Sequence, residues 1–118
     1  MLASICVESC RGRSVRDISF HADFDADMAR LMRFDPGRAE IVYDLVYDYL
    51  AVYGVVPESC SPHVLSHRRG CMTGYMECHA CDDVLVVYKV TPRHVLLRRI
   101  CTHAELESCR FGREWPRD

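Results

Sequence analysis

The spacing of apolar residues changes once along this chain, and that change limits the folds open to it. Between Asp23 and Tyr53 apolar side chains recur every three or four positions, the period of a helical face. Phe24, Met28, Leu31 and Met32 form one stripe, and Ile41, Val42, Leu45, Tyr49, Leu50 and Val52 form another. Between them Asp35-Pro36 reads as an N-cap followed by proline at the first helical position, where its missing N–H costs nothing. Gly54 stands where a C′ glycine ends a helix. The two stripes predict a helical hairpin.

Past the loop-like stretch from Pro57 to Pro62 the period shortens to that of strands. Strands are expected over Val64 to Arg69, Gly74 to Ala80, Val84 to Val90 and Val95 to Thr102. Val84-Leu85-Val86-Val87 is apolar on both faces, as in a central strand covered twice. Thr91-Pro92-Arg93 supplies a tight turn, and His103 to Cys109 one short closing helical turn. Ahead of the hairpin, Val15 to Phe20 alternates as a first strand. A strand, two helices and four short-linked strands predict an α+β fold, the helices packed on one face of a largely antiparallel sheet.

A chain of 118 residues has room for one modest core. Residues 14–118 are expected to form that single domain, with 1–13 a loose extension. No apolar run approaches the roughly 20 residues that span a bilayer, and Met1 to Val7 lacks the basic leader of a secretory signal. The expected location is the cytoplasm, away from membranes. Most of the eight cysteines are accordingly expected to be reduced. The net charge of −2 argues against a generic nucleic-acid binder. Its distribution does not: acids dominate as far as Tyr53, while Arg68, Arg69, Arg93, Arg98, Arg99, Arg110 and Arg113 lie beyond it, leaving one basic side to steer a polyanion.

Four of the six histidines, His63, His67, His79 and His103, fall in the strand half. Alternation puts Tyr75, Glu77 and His79 on one strand face and Met76, Cys78 and Ala80 on the other. If the strands are neighbours, His79, Asp83 and His103 converge near one sheet end. Two imidazoles and a carboxylate suit metal-free RNA cleavage, in which one group takes the ribose 2′-OH proton and another protonates the 5′-oxygen. A competing set is Cys78, Cys81, Cys101 and His103, four possible zinc ligands around a Cys-x-x-Cys.

Two blocks resemble a known family. One is Gly70-Cys71-Met72-Thr73-Gly74-Tyr75-Met76-Glu77-Cys78-His79, then Asp83 and Val84 to Val90; the other is Arg98-Arg99-Ile100-Cys101-Thr102-His103-Ala104-Glu105-Leu106. Together they are similar to the RelE/ParE superfamily of bacterial toxins, in its YafQ-like branch, and the resemblance covers about Val15 to Glu107. It implies a RelE-like fold and a ribosome-dependent endoribonuclease that cleaves mRNA without metal or cofactor and is held inactive by a cognate antitoxin. Carried over by position, His79, Asp83 and His103 are the catalytic residues, with His67 assisting. Arg68, Arg69, Arg98 and Arg99 are expected to bind the substrate's phosphates. The chain departs from the pattern in three places: His67 comes one residue late, Met76 replaces an arginine, and Glu107 replaces a phenylalanine, with Phe111 four residues further on. Two other readings stand beside the nuclease. One is a non-catalytic relative that keeps antitoxin binding, or a ParE-like gyrase inhibitor; the other is a zinc-binding interaction module.

Overall fold

The computed structural model describes residues 15–66 and 71–112. The chain runs through strand β1 (Asp17–Phe20) into helix α1 (Ala22–Phe34) and a second helix, α2. Helix α2 begins as Pro36–Asp44, continues as a π-wound stretch, Leu45–Leu50, and ends with Ala51–Tyr53. Asp35 caps it, its carboxylate accepting from the Arg38 N–H at 3.2 Å, and Gly54 closes it at φ 76°. A Cβ at Gly54 would meet only the movable end of the Arg16 side chain, so it is the positive φ that favours glycine there. Strands β2 (His63–Val64), β3 (Met76–Cys81), β4 (Val84–Val90) and β5 (His94–Cys101) follow, then the short helix α3 (His103–Ser108).

These strands form one sheet in the order β1-β5-β4-β3-β2, antiparallel except where β1 lies parallel to β5. The α+β architecture expected from the change of period is the one observed. Val84, Val86 and Tyr88 of the central strand face the hairpin, packing with Phe24, Met28 and Leu31 of α1 and Val42, Val46 and Leu50 of α2. Leu85 and Val87 face the other way, into a smaller cluster with Leu65, Cys101, Leu106 and Phe111. Both faces of β4 are covered, which is why its run of five residues from Val84 to Tyr88 is buried throughout.

Two expectations need correction. The strand expected over Val64 to Arg69 is His63–Val64, and past it Leu65 donates to the Tyr75 carbonyl and accepts from the Gly74 N–H outside the regular ladder; residues 67–70 lie outside the described part, as does the expected extension over 1–13. Met32, Ile41 and Tyr49, read as members of the apolar stripes, are exposed. For Tyr49 the cause is the π-wound stretch, whose extra residue per turn slides the stripe to Leu45, Val46, Leu50 and Ala51. Cys71 and Cys109 form a disulfide, while Cys60, Cys78, Cys81 and Cys101 are free, so most of the described cysteines are reduced as expected. Among the described residues no helix is long and apolar enough to cross a membrane.

Candidate active site

Strand register assembles the site on the sheet face opposite the hairpin. Val87 pairs with Glu77 on one side and Arg99 on the other, and Leu85 pairs with His79 and Cys101. Residues opposite one another in a ladder share a face, so Glu77, His79 and Arg99 all belong to the face that carries Leu85 and Val87. The register shifts between His79 and Cys81, and a two-residue turn, Asp82-Asp83, then follows with Asp82 at φ 42°, a conformation aspartate tolerates. Asp82 is tied to Arg38 of α2 at 2.9 Å, and Asp83 is left facing the start of α3.

There it meets His103. One oxygen of Asp83 accepts from the His103 backbone N–H at 3.1 Å and from its Nδ1 at 2.8 Å. The ring is held in place by a capping box just before it: the Thr102 hydroxyl accepts from Glu105 N–H, and the Glu105 carboxylate accepts from Thr102 N–H, each at 3.1 Å. Both capping side chains are buried, so His103 has a fixed origin. The His79 ring stands edge-on to His103 with centroids 4.8 Å apart.

Beneath them lies Glu77, only 2% exposed. Its carboxylate contacts His63 Nε2 at 2.7 Å and lies 4.0 Å from His79 Nε2. A pocket of about 170 Å³ opens here, lined by His63, Leu65, Glu77, His103, Leu106 and Glu107. The disulfide from Cys71 to Cys109 fastens the far end of α3 to the turn that leads into β3.

Arginines 98 and 99 have carboxylate partners within the chain. Arg98 donates to Asp23 at 2.8 Å, and Arg99 makes a two-pronged contact with Asp27 at 2.9 and 3.1 Å. Asp27 also accepts from the Ile100 N–H at 3.0 Å, which lies past Leu97, the last residue of β5 that pairs with β1. Burial pushes the Asp27 carboxyl up, against the pull of Arg99. The Arg98 guanidinium beside Asp23 holds that carboxyl below the usual range. Arg99 also lies 4.2 Å from the centre of the Phe111 ring. On the same strand face, Lys89 Nζ stands 4.4 Å above the ring of Tyr75.

The structure thus brings together His79, Asp83 and His103 and adds two residues the motif reading had not chosen, Glu77 and His63. His67, Arg68 and Arg69 lie outside the described residues. The zinc reading does not survive the sheet: Cys78 and Cys81 pack on the hairpin side, while Cys101 is buried on the opposite face. Burial also pushes the Cys78 and Cys101 thiols above their ordinary range. The one mixed donor group among the described residues is Glu77, His79 and His103, with atoms within 4.8 Å of one another. Ligands on a tetrahedral zinc lie about 3.4 Å apart, so these side chains would have to draw inward to share an ion.

Comparison with known proteins agrees with the fold. The family model for YafQ, bacterial toxin of type II toxin–antitoxin systems, matches residues 16–108. A search of curated proteins finds no match. Among solved structures, a mutant of YafQ from E. coli superimposes with a TM-score of 0.59 at 23% identity, over 82% of this chain and 99% of that one. The E. coli DinJ–YafQ complex matches at 0.58 and 24% identity, over 82% and 99% of the two chains. The YoeB dimer from Staphylococcus aureus matches at 0.61 and 18% identity, over 76% and 98%. At these identities the likeness establishes the fold, and the family model, spanning most of the chain, establishes the family. The chain belongs to the YafQ family of RelE-like bacterial toxins of type II toxin–antitoxin systems.

Proposed function

We propose that this toxin is a ribosome-dependent endoribonuclease that cleaves mRNA by acid–base chemistry at His79 and His103. The observation that carries the reading is the Asp83–His103 contact at 2.8 Å with His79 edge-on at 4.8 Å. A carboxylate that accepts from Nδ1–H leaves the Nε2 lone pair free as a base, the orienting logic of a hydrolase triad. In the proposed step His103 Nε2 takes the 2′-OH proton and the 2′-oxygen attacks phosphorus. The bond to the 5′-oxygen breaks as His79 protonates it, which leaves a 2′,3′-cyclic phosphate and a 5′-hydroxyl. Cations on the same face, Arg99 and Lys89 among them, stabilise the phosphorane charge, and the expected contributions of Arg68, Arg69, Arg98 and His67 belong to this reading. A cognate antitoxin is the partner, translated message on the ribosome the substrate, and the cytoplasm the place of action.

Induced expression is expected to arrest bacterial growth with cutting of translated message, and His103→Ala to relieve the arrest. Equal growth of strains making soluble wild type and variant refutes the proposal. One observation favours a second reading: Glu107 lines the pocket beside His103, and an anion opposes a phosphate there. A relative that binds its antitoxin without cleaving would co-purify with a short neighbouring protein and leave message intact.

A further inference from the structure

The two ends of α3 are held by different means. At its start the buried capping box of Thr102 and Glu105 and the contact with Asp83 fix His103. Leu106 and, past the helix, Phe111 pack in the small cluster with Leu85 and Val87. Between those two anchors Glu107, Ser108, Cys109 and Arg110 are exposed, and the bond from Cys109 to Cys71 ties them to the turn before β3. The backbone is disfavoured at both ends of that bond. Cys109 has φ 60° and Met72, beside Cys71, has φ 65°, a left-handed conformation that residues other than glycine rarely adopt. A helix of six residues has little stability of its own. The disulfide thus holds the last turn of α3 in a place that local preference does not select. Glu107, two residues before Cys109, lines the pocket of His103, where it meets a substrate phosphate with a like charge.

We propose that the Cys71–Cys109 disulfide is a redox latch on this pocket, keeping Glu107 in the path of the message until a dithiol reductant opens it. The inference rests on the nuclease reading above. Cys109 is exposed and Cys71 half-buried, so a thiolate of the reductant attacks at the Cys109 sulfur. The S–S bond breaks, Cys71 leaves as a thiolate and takes a proton from solvent, and the reductant is joined to Cys109. The reductant's second thiol, having lost its proton, displaces Cys109, which is protonated in turn. Two electrons have passed to the toxin, and the reductant has become a disulfide. Residues Glu107 to Arg110 then relax between Leu106 and Phe111, and the anion leaves the pocket. His103 keeps its capping box and its Asp83 contact, so the reacting groups stay assembled. The reduced chain is the cutting form, suited to a thiol-reducing cytoplasm.

The test measures cutting of ribosome-bound message by the purified toxin, either oxidised or reduced with dithiothreitol. Mass spectrometry of the alkylated peptides follows the Cys71–Cys109 bond. Reduction is expected to raise kcat/KM about tenfold, the scale of one like charge removed from a partly solvated site. Cys109→Ser is expected to cut like the reduced wild type under either condition. Glu107→Gln removes the charge at an exposed position and leaves the bond intact, so it serves as the second variant. Its oxidised form is expected to cut like the reduced wild type and to respond to dithiothreitol by less than about twofold. An oxidised wild type as active as the reduced one, or more active, overturns the inference. So does a Glu107→Gln variant that gains as much on reduction as wild type, or an oxidised protein without the Cys71–Cys109 bond. A wild type that cuts message in neither state overturns the nuclease reading itself, and this inference with it.

Discussion

Asp83 decides which nitrogen of His103 is basic. Replacing it by asparagine keeps the size and reverses the hydrogen-bond logic, because the amide can donate to Nδ1 and move the ring proton to Nε2. Asp83→Asn is therefore expected to lower kcat by about 10²- to 10⁴-fold. Both side chains of the pair are about half exposed, so the unfolding midpoint should stay within about 2 °C; an equal fall in stability and activity would mean that Asp83 only holds the turn. Sequence made His79, Asp83 and His103 legible because strand alternation and two short turns are local rules. It put Glu77 on the same face as His79 but could not show that Glu77 is buried, since Leu65 and α3 approach it from distant segments. His63 was harder still: a two-residue strand has no period to read, and its register with Glu77 is set by the sheet.

At the level of elements, the site depends on how α1 and α3 are fastened to β5. The Thr102-His103-Ala104-Glu105 pattern is a capping box that the sequence does display, and it places His103 more narrowly than a generic helical turn would. The α1 contact was not legible. Arg98 and Arg99 read as phosphate binders, yet β1 stops pairing at Leu97, and beyond that point Asp23 and Asp27 meet the open edge of β5. Because Arg98 lowers the folded pKa of Asp23 from 3.8, the pair stabilises the fold above that value, and its contribution is lost as pH falls through the lower folded pKa. Asp23 is about two-fifths exposed, so solvent screening limits the effect to about 1 kcal/mol or less. Thermal unfolding of Asp23→Asn against wild type should show a small deficit at pH 7 that shrinks as the pH falls below 3.8. A deficit that persists in acid would assign it to packing.

The described residues form a sheet with a large core on one side and, on the other, a small one beside the candidate site. The change of hydrophobic period revealed the two layers, because amphipathic stripes carry that information. The staple across the smaller layer went unforeseen: an even cysteine count identifies no partners, and Cys71 and Cys109 stand 38 positions apart. Closing a loop of that length stabilises by about 2–4 kcal/mol through the unfolded chain. Reduction, or Cys71→Ser, is expected to lower the denaturant unfolding free energy by that amount, and an unchanged midpoint would mean that the bond does not form in solution. The parallel pairing of β1 with β5 has a further consequence, for the timing of synthesis. Ser19 waits for His94, 75 positions later, before their contact can form, and His103 emerges after that. Such long-range closure comes late and slowly, so a growing chain must be made past His103 before the candidate site can assemble.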